Sequence, residues 1–567
     1  MKRCPECGRE YDNTMMFCLD DGAELLYGPA SMDEPATAIL SVPGAVATGF
    51  PSSESPTKPP INTTDQTAIL PIGTGDIVPK STGFDKRLLA VPLLLVIIVL
   101  GGLLGYKYFA PAKQINSIAV MPFVNESGNA DVEYLSDGMT ETLISSLSNI
   151  PNLSVKARST VFYYKGKETT TKRIGEELKV QAVLLGRVSQ RGDDLKLSLE
   201  LVNTETQDVI WSDTYNRKQS DLVSLQSEIA KTVSDKLRLK LTTTEQKRVR
   251  KTSTSNSEAQ QLYLKGRFYW YKRTAEAYKK AIEFFNEAIE KDPNYALAFA
   301  GLADCYSLGD YPLPPKEKYP LAKQAALKAI ELDDTLAEPH AALGRVKQEY
   351  EWDRDGAEKE FKRAIELNPN SSLAHMRYAA FFTLLGKHDE AIAESKKALA
   401  LDPLSPLINW DLAFSYYWAR RYDDAIEQDQ KTLEIDPNYL RSIYQIGLSY
   451  EQKGIFDKAF EQYLKTAAIE GGIAEIMAQK EAYATSGVRG YSRKRLDLEV
   501  AKTPSRTYTV AALYARLDEK QQAFEWLQKA IEERSSEVIY IKVSPAFDSI
   551  RSDPRFVDLM KHVGLMP

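Results

Sequence analysis

Histidine and cysteine are both scarce, with four of each in 567 residues. His340, His375, His388 and His562 are scattered along the chain, so the sequence holds no histidine cluster of metal-hydrolase type. Three cysteines, Cys4, Cys7 and Cys18, crowd the N-terminus, and Cys305 stands alone. That distribution excludes a secreted disulfide framework, and Cys305 reads as an inert thiol within a helix. Positive charge is not in excess: 72 Lys and Arg face 78 Asp and Glu, a formal net charge of -6. No basic face for nucleic acid is expected from such a balance. The chain lacks a phosphate-binding G-x-x-x-x-G-K-[ST] loop and the kinase loop set. No nucleophile and base stand at a usable spacing, so the sequence predicts a protein that is not an enzyme.

What is present divides into zones, too many for a single core. Residues 1–26 are cysteine-rich. Residues 27–86 are rich in Pro, Ser, Thr and Gly, with too little apolar surface to offset chain entropy, and read as a disordered tether. Within 87–107 runs Leu88 to Tyr106, uncharged and apolar on every face, which is long enough for one transmembrane helix. It starts too far from the N-terminus to be a cleavable signal. Residues 115–241 mix strand and helix patterns. Strands are expected at Ser117 to Phe123, Leu153 to Ala157, Ala182 to Val188, Leu195 to Val202 and Val209 to Tyr215. Helices are expected at Val132 to Leu147 and Lys172 to Leu178, and a closing helix carries Leu222, Leu225, Ile229, Val233 and Leu237. The prediction is one α/β domain. Asp137-Gly138 reads as a turn that caps the helix after it.

The N-terminal cysteines have metal-ligand spacing. Cys4-x-x-Cys7 followed by Gly8 is the turn that aims two thiolates at one Zn²⁺, and Cys18 supplies a third. The position that completes a second C-x-x-C spacing is Asp21, so the expected set is Cys4, Cys7, Cys18 and Asp21 around one Zn²⁺. A segment this short has no core of its own, and metal binding would hold it folded.

Residues 258–537 repeat. Pro369, Pro403 and Pro437 each follow Asp or Asn and are 34 residues apart, the period of a tetratricopeptide repeat. Leu412-Ala413, Tyr416 and Ala425 of one unit match Ile446-Gly447, Tyr450 and Ala459 of the next. The expected architecture is an all-α tetratricopeptide solenoid of about eight units with a C-terminal cap at 538–567. Residues 472–503 have the length of a unit but weak offsets.

The α/β region also resembles a known family. The carriers are Ile118-Ala119-Val120-Met121-Pro122-Phe123, Tyr134-Leu135-Ser136-Asp137-Gly138-Met139-Thr140, Ile174-Gly175-Glu176-Glu177-Leu178, Leu185-Gly186-Arg187-Val188 and Trp211-Ser212-Asp213-Thr214-Tyr215. They are similar to the TolB N-terminal-like (FlgO-like) α/β domain. That domain often precedes tetratricopeptide repeats in bacterial transcriptional regulators, adenylate cyclases and receptor-kinase-like proteins. The N-terminal ribbon resembles those found on many bacterial membrane proteins. Relatives carry an effector upstream, and residues 1–86 are too short for a cyclase, winged-helix or kinase domain. The resemblance therefore implies binding and assembly. Its alternative is a regulatory subunit of an adenylate-cyclase-type or kinase-type signalling system, or a cryptic enzyme in the α/β domain.

The expectation is thus a multidomain chain: zinc ribbon, one transmembrane helix, TolB-N-like α/β domain and tetratricopeptide solenoid. It would act as a membrane-anchored scaffold for a protein or peptide partner. First helices of stacked repeats line the concave face. On that face the offsets place Met376, Trp410, Phe414, Tyr417, Trp418, Arg441 and Tyr444, residue types that dominate interface hot spots. Thiolate ligands favour a reducing compartment, which puts the N-terminus in the cytoplasm and the C-terminal domains in the periplasm of a bacterial inner membrane. Lys80, Lys86 and Arg87 before the span, against Lys107 and Lys113 after it, agree slightly. In the tether, Thr37-Ala38-Ile39-Leu40 recurs as Thr67-Ala68-Ile69-Leu70. Thr37 and Thr67, each with leucine three residues on, fit what a phosphothreonine-reading domain would take.

Overall fold

The computed structural model describes residues 2–3, 10–11 and 114–566, except 130–131, 151, 238, 240, 243–253, 309–312 and 503–505. The chain forms two compact units, Met1–Leu104 and Gly105–Pro567. In the first, β1 (Lys2–Arg3) pairs antiparallel with β2 (Glu10–Tyr11), Lys2 opposite Tyr11.

The second unit begins with a six-stranded sheet. Its strands are β3 (Ser117–Val120), β4 (Val124–Asn125), β5 (Ser154–Val155), β6 (Ala182–Arg191), β7 (Asp194–Asn203) and β8 (Val209–Lys218). The order is β5-β3-β6-β7-β8, with β4 also pairing β6. The β3–β5, β3–β6 and β4–β6 pairs are parallel, and β6–β7–β8 is an antiparallel meander. Apolar alternation at Leu195, Leu197, Leu199 and Leu201 puts four leucines of β7 on the buried face. Helices α1 (Glu133–Ser148), α2 (Arg158–Phe162), α3 (Thr171–Leu178) and α4 (Leu222–Lys236) complete the domain. Its core runs from Ile118 and Leu135 to Ile229 and Val233. Asp137-Gly138 is no turn. Both residues are buried in the second turn of α1, where a Cβ on Gly138 would meet Leu264 at 2.9 Å. The glycine is needed for helix-to-helix approach, a tertiary demand that no local pattern reveals.

From Ser257 the chain is helical hairpins. The pairs are α5 (Ser257–Trp270) with α6 (Ala275–Lys291), α7 (Ala296–Ser307) with α8 (Pro315–Leu332), and α9 (Ala337–Val346) with α10 (Arg354–Leu367). They continue as α11 (Ser372–Leu385) with α12 (His388–Leu401), α13 (Pro406–Trp418) with α14 (Tyr422–Ile435), and α15 (Leu440–Gln452) with α16 (Phe456–Glu470). Next comes α17 (Ile473–Val500), kinked at Ser486 and Gly487, then α18 (Thr507–Arg516) with α19 (Lys520–Glu532). The kink divides α17 into two arms, which accompanies the weak repeat offsets of this stretch. Small residues let the helices nest: the Phe285 ring of α6 fills the notch at Gly266 of α5 and at Gly301 of α7, where a Cβ would come within 2.5 and 2.6 Å. The contacts α5–α7, α7–α9, α9–α11, α11–α13 and α13–α15 show first helices lining the inner face.

The segment after α19 does more than cap the array. It forms 3₁₀ turns at Ser536–Tyr540 and Pro545–Ile550, then α20 (Pro554–His562). Val538, Ile541, Phe547, Ile550 and Phe556 are fully buried against α18 and α19, and the same core includes Trp352 and Leu384. Arg354 donates to the Val563 carbonyl at 2.7 Å and the Gln348 carbonyl at 2.9 Å. Arg534 lies 3.7 Å over the Trp352 ring and donates to the Tyr350 carbonyl. Arg420 pairs with Asp548 at 2.8 Å. The end of the chain thus bridges three earlier repeats.

Among the described residues, the buried carboxyls of Asp411 and Asp429 in the repeats have no ion-pair partner. Asp411 on α13 accepts from Ser395 Oγ at 2.7 Å, and burial pushes its carboxyl up to about 7. Burial also pushes Asp429 on α14 well up. A carboxyl raised above its unfolded value holds its proton in the folded state, so its stabilisation is full below about pH 4 and is lost as pH rises through about 7. Asp411→Asn should therefore stabilise the chain at pH 8 by about 1–3 kcal/mol and do little at pH 4. Denaturant melts of both proteins across that range check this, and a variant less stable than wild type at pH 8 contradicts it.

Candidate functional site

The α/β domain docks on the repeats through α1, α2 and the loops before α11 and α13. Asn370 donates its side-chain amide to the Ser148 and Leu153 carbonyls at 2.9 and 3.0 Å. Lys156 Nζ donates to the Ala400 carbonyl at 2.9 Å. Asp402 accepts from Thr160 Oγ1 at 2.7 Å and from Ser159 Oγ. Along the inner face of α5, α7 and α11 runs a chain of alternating charge. Arg158 on α2 stands 3.6 Å from Asp137 and 3.7 Å from Glu141 of α1. Its guanidinium is sandwiched between the rings of Phe162 and Tyr271, 3.6 and 3.8 Å from their centroids. Glu141 accepts from Arg267 of α5 at 2.7 Å. Arg267 also lies 3.7 Å from Asp304 of α7, and Asp304 accepts from Arg377 of α11 at 3.0 Å. Burial works against the charge, but the neighbouring carboxylates and tyrosines keep the Arg267 guanidinium well above its ordinary range.

Beside this chain a cavity of about 250 Å³ opens between the α/β domain and the first helices. Glu141 and Arg158 reach it from one domain, and Arg267, Asp304, Glu338 and Arg377 from the other. The sequence reading missed these residues. A signal existed: Asp304 is the sole charge in the apolar α7, and Arg377 is the sole formal charge in α11. A lone charge inside an apolar helix announces a buried partner, although it does not say which one.

The expected partner-binding residues fall apart into three settings. Trp418 stacks on Tyr540 of the C-terminal segment, centroids 5.1 Å apart and planes at 12°, and Phe414 meets the same ring edge-on at 5.6 Å. Tyr417 is buried, 5.6 Å from Tyr422. Tyr444 packs on Tyr463 and accepts from Arg495, beside buried Glu451, whose carboxyl the Arg516 and Arg495 cations hold down at about 2 against the opposing effect of burial. What stays accessible is half-buried Trp410 with exposed Arg441 5.1 Å over its ring, and half-buried Met376 on α11. The inner-face aromatics at the C-terminal end of α13 are covered by the chain's own tail, which period alone did not foretell.

Burial pushes the Cys305 thiol up, which leaves it inert as expected. Cys4, Cys7, Cys18 and Asp21, the threonines Thr37 and Thr67, and the segment 87–107 lie outside the described residues. Among the described residues, no three His, Cys, Asp or Glu group to hold a metal, and no helix is long and apolar enough to cross a membrane.

A family model described as HilA/YgeH-like transcriptional regulator, second domain, matches residues 113–232, and a tetratricopeptide repeat model matches 382–445. The first covers the region where a TolB N-terminal-like domain is expected and gives it a different family description. The helical hairpins and the second match establish tetratricopeptide repeats in the C-terminal region. A protein named putative adenylate cyclase 3, from Rhizobium meliloti (strain 1021), is 33% identical over 193 residues, 34% of this chain. The match spans only 32% of that curated relative's length. Among solved structures, MamA is 26% identical over 27% of this chain and 90% of its own, with a TM-score of 0.24. YrrB, described as a TPR protein with an unusual peptide-binding site, is 20% identical over 35% of this chain and 97% of its own, with a TM-score of 0.26.

Because half-buried Trp418 stacks on Tyr540, Trp418→Ala should destabilise the chain by about 1–3 kcal/mol, below the range for a fully buried aromatic. Chemical denaturation checks it. Unchanged stability together with lost partner capture would instead make Trp418 a contact residue.

Proposed function

We propose that this chain is a non-catalytic, membrane-anchored scaffold that binds a protein partner through its tetratricopeptide region. The observation that supports it most is the array of helical hairpins, an architecture whose repeated first helices present side chains in register to a partner. The contact we assign is the accessible remainder of the expected groove, Trp410 with Arg441 and Met376. A zinc ribbon at Cys4, Cys7, Cys18 and Asp21, and a span at 87–107 with the N-terminus cytoplasmic and the repeats periplasmic, belong to the same reading. Thr37 and Thr67 would be phosphorylated docking points on the tether between them.

A second reading, favoured by the likeness to a putative adenylate cyclase, makes the chain a regulatory subunit of a cyclase-type signalling system. The two differ in the partner's identity. Both place the TolB-N-like domain as a fixed support for the repeats.

Capture from a detergent extract of the native bacterium, using the full chain as bait, tests the proposal. Trp410→Ala with Arg441→Ala should lose the partner while keeping the melting temperature. Capture that is equal for wild type and the double variant removes this contact. A purified chain that makes cyclic AMP from ATP sinks the non-catalytic reading. Metal analysis of the chain showing no zinc removes the ribbon, and a C-terminal alkaline phosphatase fusion that is inactive reverses the topology. Phosphoproteomic coverage of both tether peptides without modification removes the phosphothreonines.

A further inference from the structure

The α/β domain and the C-terminal segment between them enclose most of the inner face where a peptide would lie. Besides the patch at Trp410 and Arg441, what remains open there is the cavity between the domains. At about 250 Å³ it lies below the roughly 300–1,000 Å³ of drug-sized ligand sites and well above the roughly 30 Å³ share of one water. It is too small for a folded or extended segment and large enough for a metabolite of a few heavy atoms. Exposed Ser145 of α1 stands at its rim, and Tyr263 and Leu264 give it an apolar side.

The charges on its wall mostly satisfy one another. Glu141 holds Arg158 and Arg267, and Asp304 holds Arg267 and Arg377. Besides the buried Arg158 Nε–H of the α/β domain, which also lacks an acceptor, two groups on the repeat side are left over. Arg377, only 6% exposed, bonds Asp304 through Nη2, while its buried Nε–H has no acceptor. Glu338, in the first turn of α9, has no cation within ion-pair distance among the described residues. Burial pushes its carboxyl up and nearby Asp304 and Glu141 add to this, against a backbone hydrogen bond and the more distant Arg267 cation. A buried donor without an acceptor is unfavourable, and a half-buried carboxyl without an ion-pair partner is free to take a cation, so a ligand bearing the complementary pair of groups suits both.

We propose that this cavity binds a small zwitterion of the free amino-acid class, its carboxylate on the Arg377 guanidinium and its ammonium on Glu338. Guanidinium is the side chain best shaped to hold a carboxylate, and both recognition groups sit on adjacent first helices of the solenoid. The remaining wall comes from the α/β domain. Ligand binding therefore favours the docked arrangement of the two domains by mass action, which makes the docked state responsive to metabolite concentration. This site stands independently of the protein partner assigned above.

Calorimetric titration and thermal shift of the full chain in detergent, with each of the twenty free amino acids, test the proposal. One or a few should bind and raise the melting temperature. For each binder, the size-matched α-hydroxy acid and the amino alcohol, which lose the ammonium and the carboxylate respectively, should bind at least tenfold more weakly. Glu338→Gln should weaken binding at least tenfold without lowering the ligand-free melting temperature, and Arg377→Lys should weaken it too. If Arg377→Lys does not fold, Glu338→Gln decides alone. Twenty amino acids without a shift, analogues that bind as well as their parents, or full binding by Glu338→Gln would each overturn the assignment.

Discussion

Asp304 lies between Arg267 and Arg377 with almost no access to water, and the rest of the second unit is arranged around keeping that situation tolerable. An ion taken out of water costs several kcal/mol unless its partners are in place, and removing one partner of a buried pair typically costs about 3–5 kcal/mol. Here no single element supplies the partners. Asp137 and Glu141 come from α1, Arg158 from α2, Arg267 from α5, Asp304 from α7 and Arg377 from α11. The α/β domain and the first, second and fourth hairpins each hold part of one electrostatic chain. A partly undocked α/β domain would leave Arg267 short of Glu141 in an apolar setting. Docking is therefore close to all-or-none. The hydrogen bonds of Asn370, Lys156 and Asp402 fix the register in which it happens.

The same logic operates at the far end. Glu451 sits among Arg495, Arg516, Tyr463 and Tyr491, contributed by α15, α16, α17 and α18, and ties the kinked α17 to the repeats on both sides. The C-terminal segment then turns back over the inner face and is buried along Val538, Ile541, Phe547 and Phe556. A tetratricopeptide array usually stabilises itself only between neighbours. This one gains long-range closure at both ends, and the open groove of a simple array shrinks to a small cavity and an accessible patch at Trp410 and Arg441.

Much of this was legible in the residues. Period two in β7 and spacing four in α1 gave those elements within a few residues, because each reports which face is buried. The 34-residue period gave the hairpins, since every unit solves the same packing problem. What stayed illegible was tertiary. Gly138 looked like a turn because its reason, the approach of Leu264, lies more than a hundred residues away in the chain. Phe414 and Trp418 looked free because nothing in their own repeat covers them, and the cover comes from Tyr540. The polar chain at the domain boundary was visible only as lone charges in apolar helices. Pairing them requires the fold.

The central claim is that the buried charges weld the α/β domain and the repeats into one cooperative body. Scanning calorimetry of the chain and of Arg267→Met measures this directly. Wild type should unfold residues 114–566 in a single transition, and the variant, which strands Glu141 and Asp304, should resolve into two, with the α/β domain melting apart from the repeats. Two separate transitions already present in wild type, or a variant that still melts as one body at the wild-type temperature, would contradict the account.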